Sequence, residues 1–313
     1  MSIHPAGKEA QSAMVELKTP GSAKSGATKK RRRKESMARV TCRRLLKNPF
    51  AMIGLGIMAL LILVSVFAPL IAPYDPTYMD YSAIFKKPCA EHLLGTDGLG
   101  RDQLSRLLYG GRYSLSLGFI CSFIGMIFGV GLGDLVGYIG GKTDMVVMRV
   151  VDILSAIPQM LLAIIISTSL GSGFFNTILA MTIGGLPNHL RGPRAMCLKE
   201  RGMEYLEAAK AMNCSRFKII YKHMMPNTLS PTIVGTAMGI GGTIESAAGL
   251  AYIGLGIQPP LPEWGALLAY GKKYILTYPH LIMWPGVFIA VTVLATNLFG
   301  DALRDAMDPR LKD

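Results

Sequence analysis

The chain has 313 residues, of which 50% are hydrophobic and 17% are charged, with a mean hydropathy of +0.37 and 35 glycines. This composition is typical of a polytopic helical membrane protein and argues against a soluble enzyme. The length leaves room for about six spans of roughly 20 residues together with loops and a tail. Most of the net charge of +13 lies in the N-terminal tail and in loops predicted below to be cytoplasmic.

Residues 1–48 are predicted to form a basic, disordered cytoplasmic tail, because they carry too little apolar surface to fold alone. The run KKRRRK, Lys29 to Lys34, could bind nucleic acid or anionic lipid. The run stands just before a membrane span, which favours lipid headgroups. We therefore expect membrane lipids, and no nucleic acid, as a partner of the tail.

Residues 49–313 are predicted to form one all-α polytopic membrane domain. Uncharged runs, divided at Gly171-Ser172-Gly173, indicate six transmembrane helices. These spans are predicted at about 50–72, 113–139, 150–170, 174–195, 226–250 and 281–300. Most of the 33 lysines and arginines fall on the side that holds both termini, so both termini are predicted to be cytoplasmic.

Signatures of catalysis and of metal binding are absent from the sequence. It contains no GxxxxGK[ST], HExxH, GxSxG or CxxC motif, and its five histidines have no ligand spacing. The glycine-rich string Gly129 to Gly137 lies inside the second span, where small residues favour close helix packing over nucleotide binding. We therefore predict a non-enzyme without a cofactor or metal of its own.

A polar segment at 199–227 interrupts the apolar spans on the predicted cytoplasmic side. If residues 203–212 are helical, one apolar face holds Tyr205, Ala208, Ala209 and Met212. Glu207 and Lys210 lie opposite, three residues apart, and could pair or contact a partner. A second apolar stripe is predicted at Phe217, Ile220, Tyr221 and Met224. The pattern fits equally a hairpin that caps the bundle and a helix that enters a partner's groove.

Two segments on the opposite side also carry recognisable patterns. Residues 100–110 are predicted to form a short interfacial helix, with Asp97 or Asp102 capping its start and Arg101 on its polar face. Three prolines make Gln258 to Trp264 a stiff external loop. These segments could seal the bundle or seat an external protein.

Four motifs in order resemble one family. Glu207-Ala208-Ala209, with Asn213 where a glycine is usual, is similar to the EAA loop of binding-protein-dependent ABC importer permeases. Asn is the residue that most readily replaces glycine in the left-handed conformation. The other three segments resemble the C-type permeases of dipeptide and oligopeptide importers; they are HLLGTDGLGRDQLSRLLYG (92–110), AYIGLGIQPPLPEWG (251–265) and NLFGDALRDAMDPRLKD (297–313).

The resemblance implies a type I importer fold in the bacterial inner membrane and a heteromeric complex. The implied partners are a homologous B-type permease, one or two cytosolic ATPases that bind ATP and Mg, and an extracytoplasmic binding protein. The implied cargo is a dipeptide or oligopeptide, with a nickel chelate, haem or another small solute as alternative cargo. A secondary transporter is the alternative class of protein. ATP binding is expected to move the coupling helix and to rotate spans three to five outward.

The resemblance also implies roles for individual residues. Coupling to the ATPase is expected from Tyr205, Glu207, Ala208, Ala209, Lys210, Met212 and Asn213. Contact with the binding protein is expected from Arg101, Asp102 and Trp264. Glu245 in span five could meet a peptide amino group or pair with the partner permease at a gate, and Asp134 in span two could line the path or an interface.

Overall fold

The computed structural model describes residues 37–308; the basic run at 29–34 lies outside the described residues. Within 37–308 the regular elements are helices, apart from one isolated antiparallel bridge between Thr96 and Asp102. A 3-10 turn occupies Tyr81–Ala83 and a π-helical segment occupies Ile219–Met224. The α-helices are Met37–Lys47 (α1), Pro49–Val66 (α2), Ala68–Ile71 (α3), Gln103–Ile139 (α4), Gly141–Ser155 (α5), Gln159–Leu170 (α6), Phe174–Glu200 (α7), Glu204–Ala211 (α8), Arg216–Lys218 (α9), Met225–Tyr252 (α10), Trp264–Lys272 (α11) and His280–Met307 (α12).

Helix α1 lies within the stretch predicted to be a disordered tail. Arg44 Nη1 donates a hydrogen bond to the backbone oxygen of Asp308 at 3.3 Å, and Leu45 packs on the cluster that contains Leu303. The prediction of disorder is therefore wrong for residues 37–47, because Leu45 gives α1 an apolar side that α12 covers. The described chain consequently begins and ends at the same end of the bundle.

Helices α2, α4 and α12 are long and apolar enough to cross a membrane. Helix α4, with 37 residues, is about 55 Å long, so it extends well beyond a hydrocarbon core of about 30 Å. The separate interfacial helix predicted at 100–110 does not exist, because those residues include the loop end and the first turns of α4. Asp102 caps α4 by accepting from the backbone N–H of Ser105 at 2.8 Å, as one of the two predicted caps.

The predicted third span is broken. Helices α5 and α6 together are apolar enough to cross, but they bend by 85° at the break between Ser155 and Gln159. Pro158 explains the break, because proline disfavours a helical residue before it and has no N–H to donate. Helices α7 and α10, with 27 and 28 residues, are long enough to cross although less apolar. Six crossings of the membrane therefore remain a prediction.

The hairpin predicted at Gly171-Ser172-Gly173 is confirmed. Helix α6 ends at Leu170 and α7 begins at Phe174. Gly171 and Gly173 both have positive φ, at 81° and 148°, which side chains rarely tolerate. The two glycines thus allow α6 and α7 to run side by side.

The glycine string on α4 packs against α7, as predicted. A Cβ atom at Gly137 would lie 2.8 Å from Cys197 Sγ, and one at Gly133 would lie 3.0 Å from the backbone oxygen of Leu190. A Cβ at Gly129 would overlap the backbone of His189. Only glycine at these positions lets the two helix backbones approach so closely. The string is a helix-packing surface.

Helix α10 contacts α4, α7 and α12. A Cβ at Gly241 of α10 would overlap Thr296 of α12, and a Cβ at Gly118 of α4 would overlap Ile244. The largest buried cluster joins these helices to α11 and includes Leu107, Leu115, Ile244, Trp264, Leu267 and Ile289. This packing holds α10 along the middle of the bundle, where it can link the two ends.

Candidate coupling surface and central cavity

Helix α8, the predicted coupling helix, is fixed to the bundle by two side chains. Leu206 and Ala209 are 0% and 1% exposed. They pack in a cluster, called here the anchor cluster, that consists of Cys197, Leu206, Ala209, Ile219 and Met224. Since Cys197 belongs to α7 and Ile219 to the π-helical segment, α8 rests on two other elements. Ala209, which was expected to contact the ATPase, therefore faces the bundle instead.

The opposite side of α8 is open. Glu207, Ala208, Lys210 and Met212 are all exposed, and within residues 37–308 Glu207 and Lys210 form no ion pair. Met212 has an exposure of 71% despite its apolar side chain. The helix thus presents an alanine between charged neighbours. Sequence patterning missed the inward role of Leu206, although its spacing of three from Ala209 was the available signal.

Tyr205 lies at the edge of this open face and is tied to neighbouring elements. Its hydroxyl donates to Glu200 Oε2 at 2.5 Å and accepts from Asn227 Nδ2 at 2.9 Å. Partial burial, followed by the Glu200 hydrogen bond, raises the pKa of Tyr205 to about 12. The hydroxyl therefore stays protonated and links α8 to the end of α7 and to the start of α10.

The turn after α8 has the geometry that the sequence predicts for Asn213. Asn213 has a φ of 56°, in the left-handed region. The backbone N–H of Cys214 donates to the oxygen of Ala209 at 3.1 Å, and that of Asn213 donates to Lys210 at 2.9 Å. These two bonds form a Schellman motif, which ends a helix at a glycine or asparagine. The expected conformation of Asn213 is confirmed.

The second predicted stripe is divided between two faces. Ile220 and Met224 are buried, whereas Phe217 and Tyr221 are 68% and 50% exposed and stack on each other at 4.5 Å. A π-helical segment has a wider turn than an α-helix, so residues spaced for one α-helical face separate. One consequence is that Ile219, which the stripe did not include, becomes part of the anchor cluster.

Asp134 lies in a buried junction beside the anchor cluster. Its side chain is 0% exposed, and Thr228 Oγ1 at the start of α10 donates to its Oδ2 at 2.6 Å. Cys197 Sγ lies 3.2 Å from the backbone oxygen of Asp134 and 3.1 Å from Met224 Sδ. Asp134 therefore joins α4, α7 and α10, and it is not among the residues that line the central cavity described below. Its predicted place along the path or at an interface stays a prediction.

A cavity of about 450 Å³, called here the central cavity, opens between α6, α7 and α10. A volume of this size can hold a small-molecule ligand. Among residues 37–308, no aspartate, glutamate, lysine or arginine lines it. The polar side chains in the wall are Gln159, Asn188, His189, Thr232, Thr236, Thr243 and Ser246.

Glu245 lies on a different side of α10 from this cavity. It is exposed in a separate groove lined by Leu268 of α11 and by α12 residues such as Ile289 and Asn297. Glu245 therefore does not line the central cavity. Its two predicted uses, contact with a peptide amino group and pairing with the partner permease, stay predictions.

The three residues predicted to meet a binding protein are buried. Arg101 and Asp102 are 5% and 2% exposed, and Trp264 is 0% exposed. Arg101 Nε donates to Asp97 Oδ2 at 2.7 Å, while Asp102 Oδ1 lies 3.0 Å from His92 Nδ1. Their charges are satisfied inside the protein, so these residues hold the segment before α4 in place and present no docking surface.

Trp264 closes the same end of the bundle. Its indole Nε1 donates to the backbone oxygen of Leu107 at 2.9 Å, and its ring meets Phe288 edge-on at 5.6 Å. The adjacent Glu263, which sequence patterns did not single out, caps α11 and accepts from Ser114 Oγ at 2.8 Å. Burial raises the pKa of Glu263. Arg101, Asp102 and Trp264 are thus packed inside this end, and whether the end seals the bundle or seats an external protein stays a prediction.

Two family models match the chain. The model described as "Binding-protein-dependent transport system inner membrane component" matches residues 125–313, and the model for the N-terminal TM domain of oligopeptide transport permease C matches residues 36–88. The first match covers α5 to α12, including α8 and the central cavity, and the second covers α1 to α3.

Curated relatives extend over most of the chain. The glutathione transport system permease protein GsiD of Pectobacterium atrosepticum is 40% identical over 271 residues, covering 86% of this chain and 90% of the relative. The dipeptide transport system permease protein DppC of Alkalihalophilus pseudofirmus is 40% identical, with coverages of 86% and 89%. The di/tripeptide transport system permease protein DppC of Pseudomonas aeruginosa is 39% identical, with coverages of 85% and 90%.

A solved structure shares the fold. A chain of the inward-facing MetNI methionine ABC transporter is 20% identical, with a TM-score of 0.53, and the match covers 64% of this chain and 96% of that one. This likeness shows the type I ABC importer permease fold. With the family models and the relatives, it establishes that the chain belongs to the binding-protein-dependent transport system inner membrane components.

Proposed function

We propose that this chain is the C-type, membrane-spanning permease subunit of an ATP-driven importer of short peptides. The observation that carries the proposal is the geometry of α8, a helix anchored inward by Leu206 and Ala209 and open outward at Ala208 and Met212. A small exposed residue between charged ones suits insertion into a groove of another protein. The di/tripeptide, dipeptide and glutathione permeases among its relatives favour a short peptide as cargo.

Motion at α8 would reach the bundle through the anchor cluster. Cys197 links α8 to α7, and Met224 links it to the base of α10, which runs past the central cavity. When two ATPase domains close on ATP, a displaced α8 pulls on both helices and turns the cavity outward. Hydrolysis reverses the movement, which is alternating access driven from one end.

In the proposed importer, each partner meets a different surface of this chain. A homologous B-type permease would close the open side of the central cavity and meet the exposed Glu245 groove. One or two cytosolic ATPases bind ATP and Mg and dock on α8. An extracytoplasmic binding protein delivers cargo at the α11 end through residues other than Arg101, Asp102 and Trp264, which are buried. The basic tail meets lipid headgroups in the bacterial inner membrane, with both termini cytoplasmic.

The docking role is tested by one exposed alanine of α8 and a matched exposed alanine of α7. Ala208→Arg should leave the permease folded but abolish co-purification of the ATPase, because a bulky charge fills the groove that receives α8. Ala195→Arg, on an exposed site of α7, is the matched control and should keep the ATPase. Retention of the ATPase by Ala208→Arg in nanodiscs, with full peptide-stimulated hydrolysis, would show that α8 is not the docking helix.

The cargo is tested by transport. The complete complex in proteoliposomes, loaded with binding protein and ATP, should accumulate radiolabelled dialanine or glutathione. Nickel chelate and haem should neither accumulate nor compete with the peptides. Uptake without ATP, driven by an ion gradient, would instead identify a secondary transporter.

A further inference from the structure

Three hydrogen-bonding side chains converge on one level of the central cavity. Asn188 Nδ2 of α7 donates to Gln159 Oε1 of α6 at 3.2 Å. A Cβ atom built at Gly185 would lie 3.6 Å from Gln159 Nε2 and 3.5 Å from the ring of His189. Gln159 and His189 therefore border the space over Gly185, and Asn188 is hydrogen-bonded to Gln159 beside it.

The imidazole of His189 is held by a notch in α4. A Cβ atom at Gly125 would lie 2.5 Å from His189 Cδ2 and 2.6 Å from Nε2. Only glycine at this position leaves space for the ring. His189 is half-buried and lines the cavity. The notch fixes the position of the imidazole in the wall of the cavity.

The facing wall, on α10, has a complementary character. A Cβ atom at Gly235, Gly239 or Gly242 would meet no atom within 4 Å, so this wall is flat and open. Thr232 and Thr236 donate their hydroxyl protons to carbonyls one turn earlier, at 2.7 and 2.8 Å. Their oxygens remain available as acceptors. The cavity thus offers amide and imidazole donors on one wall and hydroxyl acceptors on the other.

Resting on the proposed function, we propose that Gln159, Asn188 and His189 form a cargo-contact site that binds the amide group and terminal carboxylate of a short peptide. The ligand class follows from the wall, which has hydrogen-bonding groups of both kinds and no fixed carboxylate, lysine or arginine. A peptide bond presents one donor and one acceptor, and its carboxylate accepts from amide and imidazole N–H groups. Because these hydrogen bonds are not reinforced by an opposite charge, the cargo binds weakly enough to be released.

The experiment uses the complete complex in proteoliposomes with its binding protein, and measures radiolabelled dialanine and glutathione transported per ATP hydrolysed. His189→Leu and Asn188→Leu should each lower this ratio about five- to tenfold, since each removes a hydrogen bond to cargo. His189→Gln keeps an N–H donor and should restore most of the loss. Gly125→Ala should also lower the ratio, because its methyl displaces the imidazole while leaving the three side chains intact.

Thr168→Val is the matched control on α6, since that exposed threonine bonds only to its own helix at 2.9 Å and does not line the cavity. It should transport as the unaltered protein does. Asn188 is exposed to the cavity, so leucine can replace it without a clash, at the loss of one exposed hydrogen bond to Gln159, and the variant keeps the test valid if His189→Leu fails to fold.

An unchanged ratio in Asn188→Leu together with His189→Gln indistinguishable from His189→Leu would overturn the site. Failure of the unaltered complex to move either peptide would instead overturn the proposed function. The two failures are therefore distinguishable within the same set of measurements.

Discussion

The two ends of the bundle treat their motif residues in opposite ways. At the α8 end, a polar helix is held by two buried residues, Leu206 and Ala209, and leaves the rest of its surface open. At the α11 end, the charged and aromatic motif residues Arg101, Asp102 and Trp264 are buried. Arg101 donates to Asp97, and Trp264 donates to the backbone oxygen of Leu107. The motif at the α8 end therefore leaves an exposed surface, whereas the motif at the α11 end is buried as part of the scaffold.

The two ends differ because charged residues at the α11 end have ion-pair and hydrogen-bond partners close by. Asp97 stands four residues before Arg101 and satisfies it at 2.7 Å, while Arg106, also buried, donates to the backbone oxygen of Pro76 at 3.1 Å. Burial lowers the pKa of Arg106 to about 10, which still leaves it charged at neutral pH. Around α8, by contrast, exposed Glu207 and Lys210 have no such partners within the described residues.

The largest effect is expected at Trp264. Trp264→Ala should destabilise the permease by about 3 to 5 kcal/mol, because it empties a fully buried ring site and leaves Leu107 without its donor. Thermal unfolding in detergent measures the loss. Leu276→Ala, at a side chain 97% exposed, is the control and should have little effect. If Trp264→Ala kept its stability but the binding protein no longer stimulated ATP hydrolysis by the complex, Trp264 would instead serve as a docking residue.

A second test concerns the junction at the α8 end. Asp134→Leu should cost about 1 to 3 kcal/mol, since Thr228 loses its 2.6 Å hydrogen bond to the carboxylate and keeps only the longer one of 3.1 Å to the backbone oxygen of Met225. Asp134→Asn retains an acceptor oxygen for Thr228 and should remain close to the unaltered protein in both stability and uptake. Loss of uptake in Asp134→Asn at unchanged stability would show that the carboxylate acts in transport itself, contrary to its buried position.

Much of the scaffold follows from the sequence because the signals are local. The glycine string on α4, the hairpin before α7 and the left-handed turn at Asn213 each depend on backbone conformation or on close approach, which glycine and asparagine permit. Asp102 was one of two caps predicted for a short helix at 100–110, and it caps the start of α4. Such features need no knowledge of distant residues.

The orientation of α8 could not be predicted in the same way. Its eight residues contain two apolar pairs at a spacing of three, Tyr205 with Ala208 and Leu206 with Ala209. Both pairs satisfy a helical stripe, and only packing against Cys197 and Met224 selects the second. The side of α10 that bears Glu245 was likewise undetermined, because α10 has neighbours on several sides.

The turn after α8 offers a smaller and more local test. Asn213→Val should destabilise this end by about 1 to 2 kcal/mol, because a β-branched residue fits poorly at a φ of 56°. Asn213→Gly should be neutral or slightly stabilising. Hydrogen exchange of the backbone N–H groups of α8 measures both effects. Equal protection in the two variants would mean that the turn does not determine how firmly α8 is held.

The smallest effect is expected from the ion pair between α5 and α7. Arg194 donates to Asp144 at 2.5 and 2.7 Å, and this hydrogen bonding holds the pKa of Asp144 below its usual value of 3.8. A lowered pKa in the folded state contributes stability above the usual value, and that stability is lost as the pH falls through the folded-state pKa. The pair is partly exposed, so its contribution should be about 1 kcal/mol or less. Between pH 7 and pH 3 the unfolding temperature should therefore fall less in Asp144→Asn than in the unaltered protein. Equal decreases in the two proteins would show that the ion pair does not stabilise the packing of α5 against α7.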